Sequence, residues 1–187
     1  MKVTGGNRRG LVLEVASIPQ LRPTKAMVRE AIFSVIGAES IRNALVADLF
    51  AGSGILAIEA LSRGAKAAWC IDNATASCRL IEKNLEKAHF QELCQVINLT
   101  VARFIQGKSV QSQCFDLIFM DPPYNYPARD RTIELIAVDG ILSPSGILIV
   151  EHDYREVIKA PLPLVIWKQK RYGKSSVTFI ICQNNKE

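Results

Sequence analysis

The chain has 187 residues, 49% hydrophobic and 22% charged, with a net charge of +5, which suits one globular domain with a sizeable core. Its most apolar stretch, ALVADLFAGSGILAIEAL at 44–61, carries Asp48, Glu59 and two glycines, which excludes a membrane span and reads as strand–turn–helix. Five cysteines (70, 78, 94, 114 and 182) without paired spacing, and two distant histidines, argue against a disulfide framework or a metal cluster and for reduced thiols in a cytoplasmic protein.

The opening MKVTGGNRRG has no apolar segment of the kind a signal peptide carries. Charge is unevenly spread. Residues 1–30 hold six Lys/Arg against two acids, residues 31–150 ten against twelve, and residues 151–187 seven against four. Basic ends around a near-neutral middle suit a catalytic core whose edges face a polyanion, although ordinary solvated charge gives the same profile.

In chain order, KVTGGNRRGLVLEV predicts a β-hairpin of two short strands around Gly-Gly-Asn. LRPTKAMVREAIFSVIG then places Val28, Ala31, Ile32, Val35 and Ile36 on one stripe of an amphipathic helix. Thr24 is positioned to cap its start and Gly37 to end it. From residue 45 the pattern alternates. The runs LVADLF, AKAAWCID, QVINL, FDLIFM and GILIVEH read as strands, with helical segments between them. Such alternation predicts βαβ units, a mostly parallel sheet covered on both faces, and ligands outside the carboxyl ends of the strands. The final PLVIWKQKRYGKSSVTFIICQ reads as two more strands in an antiparallel hairpin at the sheet edge, making seven in all.

Between the first strand and its helix, Gly52, Gly54 and Ala57 form G-x-G-x-x-A, and Asp72 ends the next strand 20 residues after Gly52. Small residues let a cofactor approach the backbone here, and the acid can accept from ribose hydroxyls. A nicotinamide-dependent oxidoreductase carries the same signature, and so does a tight turn with no ligand. Asp48 favours another cofactor. Four residues before Gly52, it would repel a pyrophosphate and attract a cationic amino-acid end. S-adenosyl-L-methionine has that end, a ribose for Asp72, and no phosphate. Thr100, after the third strand, is the candidate for its adenine.

FDLIFM is followed by Asp121-Pro122-Pro123-Tyr124. An exocyclic base amine is a poor nucleophile because its lone pair is delocalised into the ring. Two acceptors on its N–H bonds free that lone pair and stabilise the charge that grows on nitrogen. The Asp121 side chain and the Pro122 carbonyl can be those acceptors, and two prolines make the corner stiff and free of donors. Tyr124 offers a face for a base drawn out of its stack. Asp-Pro-Pro is also a serviceable strand-ending turn.

GGNRRGLVL, LRPTKAMVREAIFSVI, DLFAGSGILAIEALSRGA, DPPYNYP, IVEHD and KRYGKSSVTFI together resemble the RNA methyltransferase family typified by the bacterial small-subunit ribosomal RNA (guanine-N2)-methyltransferase. The similarity covers nearly the whole chain. It implies a Rossmann-like class I methyltransferase fold over 1–187, with a hairpin and helix at 1–37 added to a catalytic core at 45–187. It implies that Asp121, Pro122 and Tyr124 carry the target amine. Asp48, Phe50, Ala51, Gly52, Gly54, Asp72, Asn73, Thr100 and Asp121 would line the S-adenosylmethionine site. Many relatives have an acid or amide near Thr100, so the adenine contact differs here.

The implied partner is ribosomal RNA, met within a small-subunit assembly particle by a monomer without metal or membrane. Arg8, Arg9, Arg22, Lys168, Lys170, Arg171 and Lys174 are the candidate phosphate contacts. The competing functions are a DNA or other RNA amino-methyltransferase, a nicotinamide oxidoreductase, and a non-catalytic RNA-binding assembly factor. A chain this short leaves little room for a target-recognition domain, which weighs against the DNA enzyme. A protein-glutamine methyltransferase would be expected to carry Asn at position 121.

Overall fold

A computed structural model of the protein describes residues 1–15, 24–107, 113–123 and 126–183. Seven strands form one sheet: β1 (Leu45–Asp48), β2 (Ala67–Asp72), β3 (Cys94–Asn98), β4 (Phe115–Met120), β5 (Leu142–Asp153), β6 (Leu164–Tyr172) and β7 (Ser175–Cys182). Their order is β3-β2-β1-β4-β5-β7-β6, and β7 alone runs against the rest. Five helices cover it: α1 (Thr24–Ile41), α2 (Ile55–Ser62), α3 (Thr75–Ala88), α4 (Val101–Ile105) and α5 (Arg129–Asp139). The expected Rossmann-like α/β sheet is thus present, with its antiparallel hairpin at one edge. Among the described residues no helix is long and apolar enough to cross a membrane.

Alternation along each strand feeds two cores. Val46, Leu117 and Phe119 point to the face covered by α1, α2 and α3, while Ala47, Ile118 and Met120 point to the face covered by α4 and α5. The chain lays β1, β2 and β3 outward in one direction, then crosses to set β4 on the other side of β1. Loops leaving β1 and β4 therefore part company at their carboxyl ends and leave a crevice between them.

Three local readings change. The N-terminal hairpin has one β-bridge, Lys2 to Val12, braced by Val3 N–H on the Leu11 carbonyl and Leu13 N–H on the Met1 carbonyl, around a 3₁₀ turn at Gly6–Arg8, where two short strands were expected. Gly37 (φ 78°, ψ 159°) breaks α1 as expected, but helix resumes to Ile41. The side chain of Thr24, the expected cap, lies outside the described residues. β5 begins before GILIVEH, at Leu142, with a register shift between Phe115 and Leu117 on β4.

The hairpin is latched to the core through Glu59, which is 0% exposed in the middle of α2. One carboxylate oxygen accepts from Arg29 Nε (3.0 Å), Thr4 N–H (2.6 Å) and Thr4 Oγ1 (2.8 Å). Arg63 stands 3.2 Å from the other oxygen. Arg29, 4% exposed, also donates to the Lys2 carbonyl at 2.7 Å. A buried charge persists only when it is paired in this way.

Candidate cofactor cleft and active site

The loop after β1 is pinned from both sides. Leu49 donates its N–H to Phe119 of β4 and Ala51 its N–H to Ile71 of β2. Between them Phe50 faces Tyr126, ring centroids 5.1 Å apart. Gly52 sits at φ +56°, a conformation that suits glycine. Its N–H donates to Asp72 at 2.9 Å, and the second Asp72 oxygen accepts from Ala74 N–H at 2.9 Å. Asp72 therefore holds the glycine turn to the end of β2 as well as facing the crevice.

That crevice is a cleft of about 800 Å3, within the range of small-molecule sites. Asp48, Phe50, Ala51, Gly52, Asp72, Asn73, Thr100, Asp121 and Pro122 all border it. The glycine turn and the Asp-Pro-Pro corner thus open on one space, as their strand positions require. Gly54 stands apart. It starts α2 at φ +74°, and a Cβ there would come within 3.1 Å of Ile81 on α3, so its smallness serves helix packing beneath the turn. The Thr100 hydroxyl accepts from Arg103 N–H at 3.4 Å, capping α4 at the cleft wall. Tyr124 and Arg22 lie outside the described residues.

Asp48 is the anomaly of the site. It is 1% exposed, and among the described residues neither of its oxygens meets a donor in hydrogen-bonding geometry. Burial first, then repulsion from Asp121, push its pKa up to about 7; the nearby amides of Ala57 and Phe50 temper the rise. A buried carboxylate without a partner is costly. A ligand that brings positive charge into the cleft would remove that cost.

The family model described as conserved hypothetical protein 95 matches residues 1–181. The ribosomal RNA small subunit methyltransferase D of Escherichia coli is 34% identical over 153 residues, spanning 82% of this chain and 75% of that one. The protein of the same name from Haemophilus influenzae is 30% identical over 185 residues, spanning 98% and 94%. Among solved structures, the Escherichia coli protein yhhF superposes with a TM-score of 0.84 at 30% identity, covering 97% of each chain. The chain belongs to the conserved hypothetical protein 95 family. This is the family to which DPPYNYP and KRYGKSSVTFI point, and its match takes in the hairpin, the cleft and both edge strands.

Within this family frame the basic residues separate into two groups. Arg8 donates its backbone N–H to Ser62 Oγ (2.8 Å) and its Nε to the Ala88 carbonyl (2.7 Å), with the guanidinium over Phe90. Ser62 and Ala88 end α2 and α3, helices that run back against the parallel strands, so Arg8 and exposed Arg9 sit at the edge opposite the cleft. Lys168, Lys170, Arg171 and Lys174 are exposed on the β6–β7 hairpin. Its turn lies beside the end of β5, where Asp153 pairs with Ser175, at the cleft edge. Among the described residues, Arg8 and Arg9 do not share one face with the basic residues of the β6–β7 hairpin.

The cleft residues not singled out in the sequence include Arg29, Tyr126 and Glu151. Arg29 carried a signal, since it falls on the apolar stripe of α1 beside Val28, Ile32 and Phe33, where a charge implies a buried partner. Glu151 stands within IVEHD at the carboxyl end of a strand, the position at which ligands are met. Tyr126 offered no comparable signal. Among the described residues no cluster could hold a metal ion.

Proposed function

We propose that the protein transfers a methyl group from S-adenosyl-L-methionine to the exocyclic N2 amine of a guanine in small-subunit ribosomal RNA. The observation that carries this reading is the pairing of an unpartnered buried carboxylate, Asp48, with an acceptor-only corner, Asp121-Pro122, on one cleft. The names of the relatives, ribosomal RNA small subunit methyltransferase D, support the substrate class.

The donor set fits the cofactor. Asp48 matches a cationic amino-acid end, and Asp72 retains lone pairs for ribose hydroxyls beyond the two backbone bonds it accepts. Four carboxylates, Asp48, Asp72, Asp121 and Glu151, border the cleft, a poor setting for the pyrophosphate of a nicotinamide cofactor. When bound, S-adenosylmethionine supplies an electrophilic methyl on sulfonium. Phe50, Ala51, Gly52, Asn73 and Thr100 wall its site, with Gly54 supporting the turn from below.

The remaining chemistry belongs to the chain. Asp121 and the Pro122 carbonyl accept from the two N–H bonds of the target amine, free its lone pair, and stabilise the charge it gains. Pro122 and Pro123 keep that corner from rearranging, and Tyr124 is the stacking surface for the base. Lys168, Lys170, Arg171 and Lys174 hold RNA phosphates beside the cleft, and Arg22 belongs with them as a proposed contact. Arg8 and Arg9 serve at most a distant strand of a folded substrate. A short, monomeric, cytoplasmic chain would take its specificity from a preformed RNA–protein surface in an assembling particle.

The test is mass mapping of methylated nucleosides in small-subunit ribosomal RNA from cells with and without the protein. One N2-methylguanosine should vanish in its absence. An unchanged map would overturn the reading.

A further inference from the structure

Glu151, at the carboxyl end of β5, borders the cleft and also a small adjoining hollow of about 20 Å3 beyond the Asp-Pro-Pro corner. Asp121, Pro122, Pro123 and Tyr126 share both boundaries. β4 and β5 are parallel and in register at Met120 and Val150. Asp121, just past the end of β4, and Glu151, still within β5, therefore follow side by side, with backbones about 4.8 Å apart. Both residues border the cleft at the end away from Asp72.

We infer that Glu151 selects the target base by accepting the ring N1–H of guanine, next to the amine held by Asp121; this rests on the function proposed above. The chemistry is one of pattern. Guanine presents N1–H beside its N2 amine, two donors along one edge, and a pair of acceptors on adjacent strands matches them. Purines with a 2-amine but an unprotonated N1 present an acceptor at that point, which faces a carboxylate with no hydrogen between them. Such a mismatch is penalised more than a missing bond. Asp121 reads the reacting amine and Glu151 reads its neighbour.

The test uses small-subunit RNA assembled with its proteins and built by ligation with either guanosine or 2-aminopurine riboside at the mapped target. 2-Aminopurine keeps the 2-amine and lacks the N1 proton. Wild-type protein should prefer guanosine by roughly ten- to a hundredfold in kcat/KM, the scale of a good bidentate base contact. Glu151→Gln, whose amide can either accept or donate, should narrow that ratio at least about fivefold. Glu151→Ala provides a second variant in which the ratio should also narrow.

Equal rates of wild type on both RNAs would overturn the inference without any variant. So would an unchanged ratio in both variants, or loss of both activities with cofactor affinity intact, which would place Glu151 in the chemistry instead. Failure of the function itself looks different: wild type would then methylate neither 2-amine.

Discussion

Asp48 and Asp72 end neighbouring strands on the same cleft, and only Asp72 is satisfied by the protein. Its two oxygens accept from Gly52 and Ala74, whereas Asp48, deeper and 1% exposed, meets no donor in hydrogen-bonding geometry among the described residues. In the function proposed above the two acids divide the work: Asp72 builds the turn, and Asp48 is left for what the turn receives.

Asp48 should make stability depend on pH. Its folded pKa, about 7, lies above the unfolded value of about 4. The folded protein therefore holds the proton more tightly. The stability this confers is complete below about pH 4 and is lost as pH rises to about 7. Asp48→Asn removes the titration. Its denaturation free energy relative to wild type should thus climb by a few kcal/mol between pH 4 and 8, since this difference cancels other titrating groups. A flat difference would show that Asp48 is satisfied in solution.

The same residue should couple to the cofactor with the opposite sign. Calorimetric affinity for S-adenosylmethionine should rise as pH rises toward 7 and Asp48 ionises. Asp48→Asn should weaken binding at least about tenfold at pH 8, the scale of a charge-assisted contact, while leaving the free protein more stable. A variant that is both stabilised and poorer at binding would mark Asp48 as a ligand group.

Asp121→Ala should lower turnover roughly 10²–10³-fold, the cost of losing one preorganised electrostatic group, with cofactor affinity largely kept. Single-turnover kinetics on saturated enzyme would separate the two effects. Equal activity of mutant and wild type would remove Asp121 from the mechanism.

Glu59→Ala should destabilise by roughly 3–5 kcal/mol, because it strands the buried Arg29 guanidinium. The same change frees Thr4, so the N-terminal hairpin should lose amide protection in hydrogen exchange before the sheet does. Uniform loss across the molecule would contradict the latch.

Replacing Lys168, Lys170, Arg171 and Lys174 with Ala should weaken RNA binding and flatten its salt dependence, by roughly 0.7–0.9 in slope for every phosphate left without its cation. Replacing Arg9 alone should do neither at the target-proximal surface, since it lies at the opposite edge. Equal slopes for wild type and the fourfold variant would leave the β6–β7 hairpin without a role in RNA binding.

Much of this was open to reading in the residues, and the rest fails for identifiable reasons. The parallel strands announce themselves as apolar runs because both of their faces are buried, and FDLIFM is the clearest case. The glycine turn and Asp-Pro-Pro are local patterns, and local patterns are what a sequence displays. Two partners of Glu59, Arg29 and Thr4, stand 30 and 55 residues away, so the place of Arg29 on an apolar stripe hinted at a buried partner without telling which. The hairpin residues looked like two strands because a run of β-formers says nothing of whether a ladder forms; a 3₁₀ turn intervened. Gly54 carried the cofactor motif's spacing while answering to Ile81 on another helix. Nothing in the order of the residues tells that β7 lies inside β6.

That last arrangement bears on how the protein is made. β7, buried along most of its length, is translated after β6, yet β6 reaches the sheet only through it. Without Ser175–Cys182, β5 would keep a bare rim and β6 would have nowhere to dock. The sheet therefore closes only when the eight residues of its last strand in chain order are in place.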